Sequence, residues 1–145
     1  MKSKPKARIT GLGAYLPKTI LSNKDLEKIV ETSDEWIVSR TGMKERRIAA
    51  ADEYPSDMGA HATMHALQQA GLAPKDVDAI IVATMTPDYI SPSTAALIQA
   101  KIGASQAMAV DIQAACSGYL YLLSMANAYV ESGLYKNGVV IASEK

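Results

Sequence analysis

A chain of 145 residues is long enough to form one domain with a substantial hydrophobic core. Fifteen basic and fifteen acidic side chains cancel, so no nucleic acid and no membrane surface is indicated as a general partner. The single cysteine excludes a disulfide within the chain and fits a reducing compartment, and no apolar signal segment follows the basic N-terminus. We therefore expect a cytoplasmic protein.

The first third of the chain predicts one strand and two short helices. Residues 7–15 have the pattern of a strand, and Asn23 is expected to cap a helix that ends near residue 30. Thr32 and Glu35 have the spacing of a capping box, and Gly42 supplies a helix end, which predicts about two helical turns between them.

Trp36 and Arg40 are four residues apart, so they share one face of this second helix. An indole beside a guanidinium suits a planar base that carries phosphates, because the ring stacks and the cation neutralises charge. The same pair would also arise from a tryptophan packed on the core under an arginine stem. The basic residues Lys44, Arg46 and Arg47 either extend an anion site or form a solvated strand edge.

A longer helix is predicted from Ser56, as its cap, to residue 70, with Gly71 closing it. His61 and His65 are one turn apart on this helix, a spacing that can hold a metal ion. The glutamate of the zinc-protease motif and a third ligand are both missing. We therefore predict solvent-facing histidines and no metal site.

The second half of the chain alternates buried strands with helices. Apolar runs at 77–84, 107–112 and 139–142 predict strands, and the near-continuous run at 77–84 is typical of a strand buried on both faces of a parallel sheet. Between the first two, Ser91 is expected to cap a helix that ends at Gly103. This alternation predicts a layered α/β domain with a largely parallel sheet.

The most informative stretch is the turn at 113–118 and the helix that follows it to Gly133. Apolar residues point in nearly every direction around this helix, which predicts burial on all sides. Cys116 falls at its first turn, where free N–H groups and the helix dipole favour a reactive thiolate. A buried, inert cysteine is the alternative that position alone leaves open.

Four motifs in order resemble the β-ketoacyl-acyl carrier protein synthase III enzymes of the thiolase superfamily. They are GLGAYLP at 11–17, TSDEWIVSRTGMKERRIA at 32–49, IIVATMTPDYISPSTAALIQ at 80–99 and DIQAACSGYLYLLSMANAYVESG at 111–133. The resemblance implies one half of a layered αβα thiolase-like fold, with a largely parallel mixed sheet and a buried central helix. Residues 1–145 would be the N-terminal half, with the C-terminal half absent from this chain.

The resemblance also implies a reaction. Cys116 matches the nucleophile that takes an acyl group, usually acetyl, from coenzyme A. Decarboxylative Claisen condensation with malonyl-acyl carrier protein then initiates type II fatty acid synthesis. Thr32, Trp36 and Arg40 match positions at the coenzyme A entrance, and Ser91 matches a loop residue that reaches the partner subunit's acyl tunnel. No cofactor is implied, since the coenzyme A thioester is a substrate.

The catalytic His and Asn of that family lie in its second half and have no counterpart here. The chain alone is therefore expected to have little or no condensing activity, and the full-length protein is expected to be a homodimer. Two alternatives remain open at this point. The first is a non-catalytic module that binds coenzyme A or a partner chain, and the second is a synthase III-like acyltransferase of secondary metabolism.

Overall fold

A computed structural model describes residues 7–145, which divide into two compact units. The smaller unit comprises residues 16–53, and the larger unit combines the segment before it with residues 54–145. In the described part of the chain, no helix is long and apolar enough to cross a membrane.

The smaller unit is a two-stranded antiparallel sheet with two helices. Its elements are β1 (Thr19–Ser22), α1 (Asn23–Leu26), α2 (Asp34–Thr41) and β2 (Glu45–Ile48). The buried Asn23 amide links them, because it donates to Asp34 Oδ1 at 2.7 Å and to the Met43 carbonyl at 2.8 Å. The Asn23 side-chain oxygen accepts from Arg46 Nη2 at 2.8 Å, so both polar atoms of this buried amide are hydrogen-bonded.

Both helices of the smaller unit begin at a different cap from the one predicted. Ser22 caps α1 in a capping box with Asp25, so Asn23 is the first helical residue rather than the cap. Ser33, and not Thr32, caps α2 by accepting from the Trp36 N–H at 3.1 Å. Adjacent polar residues compete for the same role, and spacing alone does not decide between them.

The larger unit contains a three-stranded parallel sheet with three helices. Its elements are α3 (Pro55–Ala70), β3 (Ala79–Ala83), α4 (Thr94–Ile102), β4 (Met108–Ile112), α5 (Gly118–Ser132) and β5 (Gly138–Ala142), with 3₁₀ turns at Pro74–Asp76 and Ala115–Ser117. The strand order is β4–β3–β5, and both pairings are parallel. The predicted parallel sheet is confirmed, and Gly71, Gly103 and Gly133 end their helices in the left-handed conformation.

The helices cover both faces of this sheet. On one face, Leu67 of α3 and Ile98 of α4 pack with Ile80 and Val82 of β3. On the other face, Leu122 of α5 packs with the side chains that alternate with these, including Ile81 and Ala83. The larger unit is therefore an αβα sandwich, in which α3 and α4 lie on the side opposite to α5.

The prediction that α5 is buried on all sides is wrong for this chain. Only Gly118 and Leu122 are buried, on the face that meets the sheet. Away from that face, Leu120 is 64% exposed, and the flanking Tyr119 and Tyr121 are 39% and 54% exposed. The helix is apolar all round, but the residues described here supply a covering layer for one side only.

The strand predicted at 7–15 is not formed. This segment is irregular and crosses α3, where Gly11 and Gly13 bring backbone against backbone. A Cβ at either glycine would overlap a carbonyl oxygen of the helix, that of Ala66 or Ala62. The two glycines that weaken the strand pattern thus serve close packing on a helix instead.

Helix α3 is tied to the loop before α4 by a polar network. Ser56 is not the cap, since α3 begins at Pro55. Its buried hydroxyl donates to Asp88 Oδ2 at 2.5 Å, while its N–H donates to Asp88 Oδ1 at 2.9 Å. Lys101 Nζ donates to the Ser56 hydroxyl at 2.6 Å and also binds Asp57. The prediction that Ser91 caps α4 is also wrong, because Ser93 does so.

The network makes stability depend on pH. Burial raises the pKa of Asp57, but hydrogen bonds from Lys101 and from the Tyr54 backbone outweigh burial and leave it below its ordinary value of 3.8. Because the pKa of Asp57 is lower in the folded state than in the unfolded state, its ionised carboxylate stabilises the folded protein at pH values above the unfolded-state pKa. This contribution is lost as the pH falls through the folded-state pKa.

Lys101→Met should lower the free energy of unfolding near pH 7 by about 1 kcal/mol, since the ion pair is partly exposed and one bond to a buried hydroxyl is lost. The deficit should shrink as the pH falls from about 5 to 3, where Asp57 becomes protonated. Urea unfolding at several pH values measures it, with Lys75→Met as the control for loss of a cation. A deficit that stays constant with pH would contradict the assignment.

Candidate active site

Cys116 lies in the tight turn between β4 and α5. The turn is a 3₁₀ segment, Ala115–Ser117, and α5 begins directly after it at Gly118. Cys116 thus precedes the first α-helical residue by two positions and does not lie within the first turn of α5. The side chain is free and exposed, which rules out the buried, inert alternative.

The residue before the cysteine has an unusual backbone. Ala115 has φ of 45° and is the one non-glycine residue with positive φ in the range 7–145. This left-handed conformation costs an L-residue with a side chain about 1 kcal/mol or more. Such conformations persist where the surrounding structure imposes them, and they cluster at functional sites.

Gly118 brings the start of α5 against the central strand. A Cβ on Gly118 would lie 2.7 Å from the Ala83 Cβ, so no larger residue fits without movement. Ala83 is also the register partner of Ile112, the last residue of β4. Both ends of the turn that carries Cys116 are therefore held at the same residue of β3.

A second loop leaves the same edge of the sheet. Residues 84–93 follow β3, and the Thr84 N–H donates to the Ile112 carbonyl at 3.2 Å, which places this loop beside the end of β4. In parallel α/β sheets, ligands bind beyond the carboxyl ends of the strands. Ser91 is exposed on this loop, so Ser91 and Cys116 belong to neighbouring segments at that edge.

Trp36 and Arg40 form a pair on the surface of the smaller unit. The Arg40 guanidinium carbon lies 5.5 Å from the centre of the Trp36 ring, and the tryptophan side chain is 56% exposed. The alternative of a tryptophan packed on the core is therefore wrong for this chain. Thr32 is half-buried just before α2. The pair can present a stacking surface and a cation to one ligand.

Arg46 and Arg47 are used within the smaller unit. Arg46 donates to the Leu21 carbonyl, and Arg47 donates to the Pro17 carbonyl at 3.2 Å and contacts Glu45. They bind the two strands of the small sheet together. The interpretation as a strand edge therefore accounts for them better than an extended anion site.

The histidines of α3 are exposed, as predicted, and face the N-terminal segment. The His61 ring stacks on Tyr15 with a centroid separation of 5.1 Å, and His65 Nδ1 lies 3.1 Å from the Ala14 carbonyl oxygen. Helix α3 packs on the face of the sheet opposite to α5, whose start carries Cys116. Across residues 7–145, no group of three metal-ligating side chains is found.

Ala115→Gly should raise the free energy of unfolding by about 1 kcal/mol, because glycine adopts positive φ without steric cost. Thermal or urea unfolding measures the change. The matched control is Ala128→Gly on the exposed side of α5, which should lose about 1 kcal/mol through lower helix propensity. A loss of stability in both variants would show that Ala115 is not strained.

Comparison with known proteins agrees with this geometry. Residues 110–145 match the family described as 3-Oxoacyl-[acyl-carrier-protein (ACP)] synthase III. The chain is 55% identical over 140 residues to the β-ketoacyl-[acyl-carrier-protein] synthase III of Sulfurovum sp. NBC37-1, covering 96% of this chain and 41% of that protein. It is 57% identical to the enzyme of the same name from Chlamydia trachomatis, covering 97% of this chain and 43% of the relative.

Solved structures give the same result. The crystal structure of 3-oxoacyl-[acyl-carrier-protein] synthase III from Aquifex aeolicus matches with a TM-score of 0.92 and 52% identity, over 94% of this chain and 44% of that one. The chain thus spans less than half the length of the curated relatives it matches. Over that span, its sequence and its fold are those of the β-ketoacyl-acyl carrier protein synthase III family, to which it belongs.

Proposed function

We propose that this chain carries the acyl-accepting site of a β-ketoacyl-acyl carrier protein synthase III. The observation that carries the proposal is the exposed Cys116 in a strained turn at the carboxyl edge of a parallel sheet, in a chain of this family. The reaction class is acyl transfer from a coenzyme A thioester, with acetyl-CoA as the expected donor.

The loading step needs a nucleophile, an oxyanion donor and a leaving group. The Cys116 thiolate attacks the thioester carbon and forms a tetrahedral intermediate with a negatively charged oxygen. The intermediate collapses to an acyl-cysteine and releases coenzyme A as a thiolate, which takes a proton from water. We assign the Cys116 backbone N–H, in the 3₁₀ turn that precedes α5, as one donor to the oxyanion. Covalent loading frees the site for a second substrate.

The second step is decarboxylative condensation with malonyl-acyl carrier protein, which initiates type II fatty acid synthesis. Loss of carbon dioxide leaves a carbanion, which attacks the acyl-cysteine, forms the β-ketoacyl product and releases the Cys116 thiolate. His61 and His65 do not serve this step, since α3 lies across the sheet from α5. We propose that its acid–base groups belong to the remainder of a longer protein, of which residues 1–145 form the N-terminal half.

Trp36, Arg40 and Thr32 are proposed to line the coenzyme A entrance. The exposed indole offers a face to adenine, and the guanidinium beside it offers charge to phosphate. The thioester is a substrate, so the proposal requires neither a metal nor an organic cofactor. We further propose that the longer protein is a cytoplasmic homodimer.

Incubation with radiolabelled acetyl-CoA tests the proposal. The label should appear at Cys116 by peptide mass spectrometry, and Cys116→Ala should abolish it. Absence of label in a folded parent protein, together with stoichiometric binding of coenzyme A, would overturn the proposal and favour a non-catalytic binding module.

Trp36→Ala and Arg40→Met should each raise the acetyl-CoA concentration for half-maximal labelling about tenfold, equivalent to about 1.4 kcal/mol of binding. The maximal labelling rate should change little, because neither side chain touches the reacting atoms in this proposal. Lys75→Met, another exposed cation, is the matched control and should leave labelling unchanged. Equal effects of Lys75→Met and Arg40→Met would contradict a local role.

Ser91 is proposed to admit longer acyl chains into the acyl tunnel, because its small side chain leaves room that an aromatic side chain would fill. Ser91→Phe should reduce loading from longer acyl-CoA donors at least tenfold relative to acetyl-CoA. Competition between acetyl-CoA and octanoyl-CoA measures the preference directly. Ser105→Phe, also at an exposed serine, is the control. An unchanged preference in Ser91→Phe would remove Ser91 from the site.

A further inference from the structure

We infer that Gly118 and Ala83 are positioning residues that set where the Cys116 sulfur lies. The inference starts from one geometric fact, the 2.7 Å between the Ala83 Cβ and a Cβ built on Gly118. It rests on the proposed function only in taking Cys116 as the residue that accepts the acyl group. The contact itself lies within the larger unit and does not depend on that function.

A single residue of β3 holds both ends of the turn. Ala83 pairs in register with Ile112, where β4 ends, and its side chain faces Gly118, where α5 begins. Only residues 113–117 connect these two fixed points. So short a connection has few conformations, which accounts for the positive φ of Ala115 inside it.

Burial makes this anchor rigid. Ala83 is 5% exposed and belongs to the cluster that includes Ile81 and Leu122. Leu122 is fully buried one turn after Gly118, so α5 cannot tilt away from β3 without opening a cavity. Adding or removing a methyl group between Ala83 and Gly118 should therefore displace the start of α5.

A methyl group on Gly118 would force such a change. Carbon atoms pack at about 3.5–4.0 Å, so the start of α5 would move outward by about 1 Å and carry Cys116 with it. A shift of this size between a nucleophile and a bound substrate is enough to lower the rate of their reaction about a hundredfold. Ala83→Gly would create the space that the new methyl needs.

The experiment compares the full chain with Gly118→Ala, Ala83→Gly and the double variant, which moves one methyl across the contact. The first readout is the rate of Cys116 alkylation by iodoacetamide, which does not depend on the proposed function. The second is the acylation rate at saturating acetyl-CoA, with the concentration for half-maximal acylation measured beside it.

Gly118→Ala should slow acylation at least tenfold, change the alkylation rate at least threefold and leave the half-maximal concentration within twofold, and the double variant should restore both rates to within twofold of the parent. Unchanged alkylation in a folded Gly118→Ala protein, or a folded double variant without recovery, would overturn the inference. If Gly118→Ala does not fold, Ala83→Gly decides, since the gap below Gly118 should change the alkylation rate at least threefold and an unchanged rate overturns the inference. The two proposals can fail separately. If the parent protein takes no acetyl label but the variants still change the alkylation rate, the positioning role stands and the proposed function fails.

Discussion

The buried central strand is the constraint on which the larger unit depends. All five residues of β3 are buried, because α3 and α4 cover one face and α5 covers the other. Its neighbours β4 and β5 pair with it in parallel register, so three strand ends lie at one edge. The segments that carry Ser91 and Cys116 both leave from that edge, and the strand ends fix where each segment starts.

Carboxylates distant in sequence hold these segments in place. Asp111 of β4 accepts from the N–H groups of Thr94 and Ala95 at 2.7 and 2.8 Å, and so caps α4 from a neighbouring strand. Glu144 accepts from the Met85 N–H and from the Thr86 hydroxyl, at the end of the chain beside the loop after β3. Charge-assisted bonds to backbone N–H groups are strong, which explains how a loop without regular structure is held.

Local patterns predicted most of the fold. The strands β3, β4 and β5 follow from apolar runs. The four helix ends at glycine follow from the ability of glycine to adopt positive φ, which is a property of the single residue. The Trp36–Arg40 pair also follows from spacing alone. Each of these depends on a single residue or on neighbours in sequence, which is why the sequence contains enough information to find them.

The remaining features depend on contacts between distant residues. No local signal shows that Asp111 caps a helix seventeen residues earlier, as its bond to the Thr94 N–H requires. The segment 7–15 has a strand pattern, yet its glycines allow packing across α3 that a strand would not use. The positive φ of Ala115 occurs in a turn whose two ends both contact Ala83, a residue far away in sequence. The small residues around Cys116 were the one available sign of that turn.

The exposed face of α5 and the position of the histidines both suggest that part of the proposed reaction depends on polypeptide outside residues 7–145. Tyr119, Leu120 and Tyr121 expose apolar surface on the helix that starts beside Cys116, and apolar patches of this kind are usually covered in the working protein. The condensation proposed for the longer protein would require groups that stabilise a carbanion near Cys116, but His61 and His65 contact the N-terminal segment on the far side of the sheet. If the polypeptide that covers α5 also brings those groups to its exposed face, one interface both buries the apolar surface and completes the site. Acyl loading would then depend on this chain's own turn, and condensation would depend on the covering polypeptide.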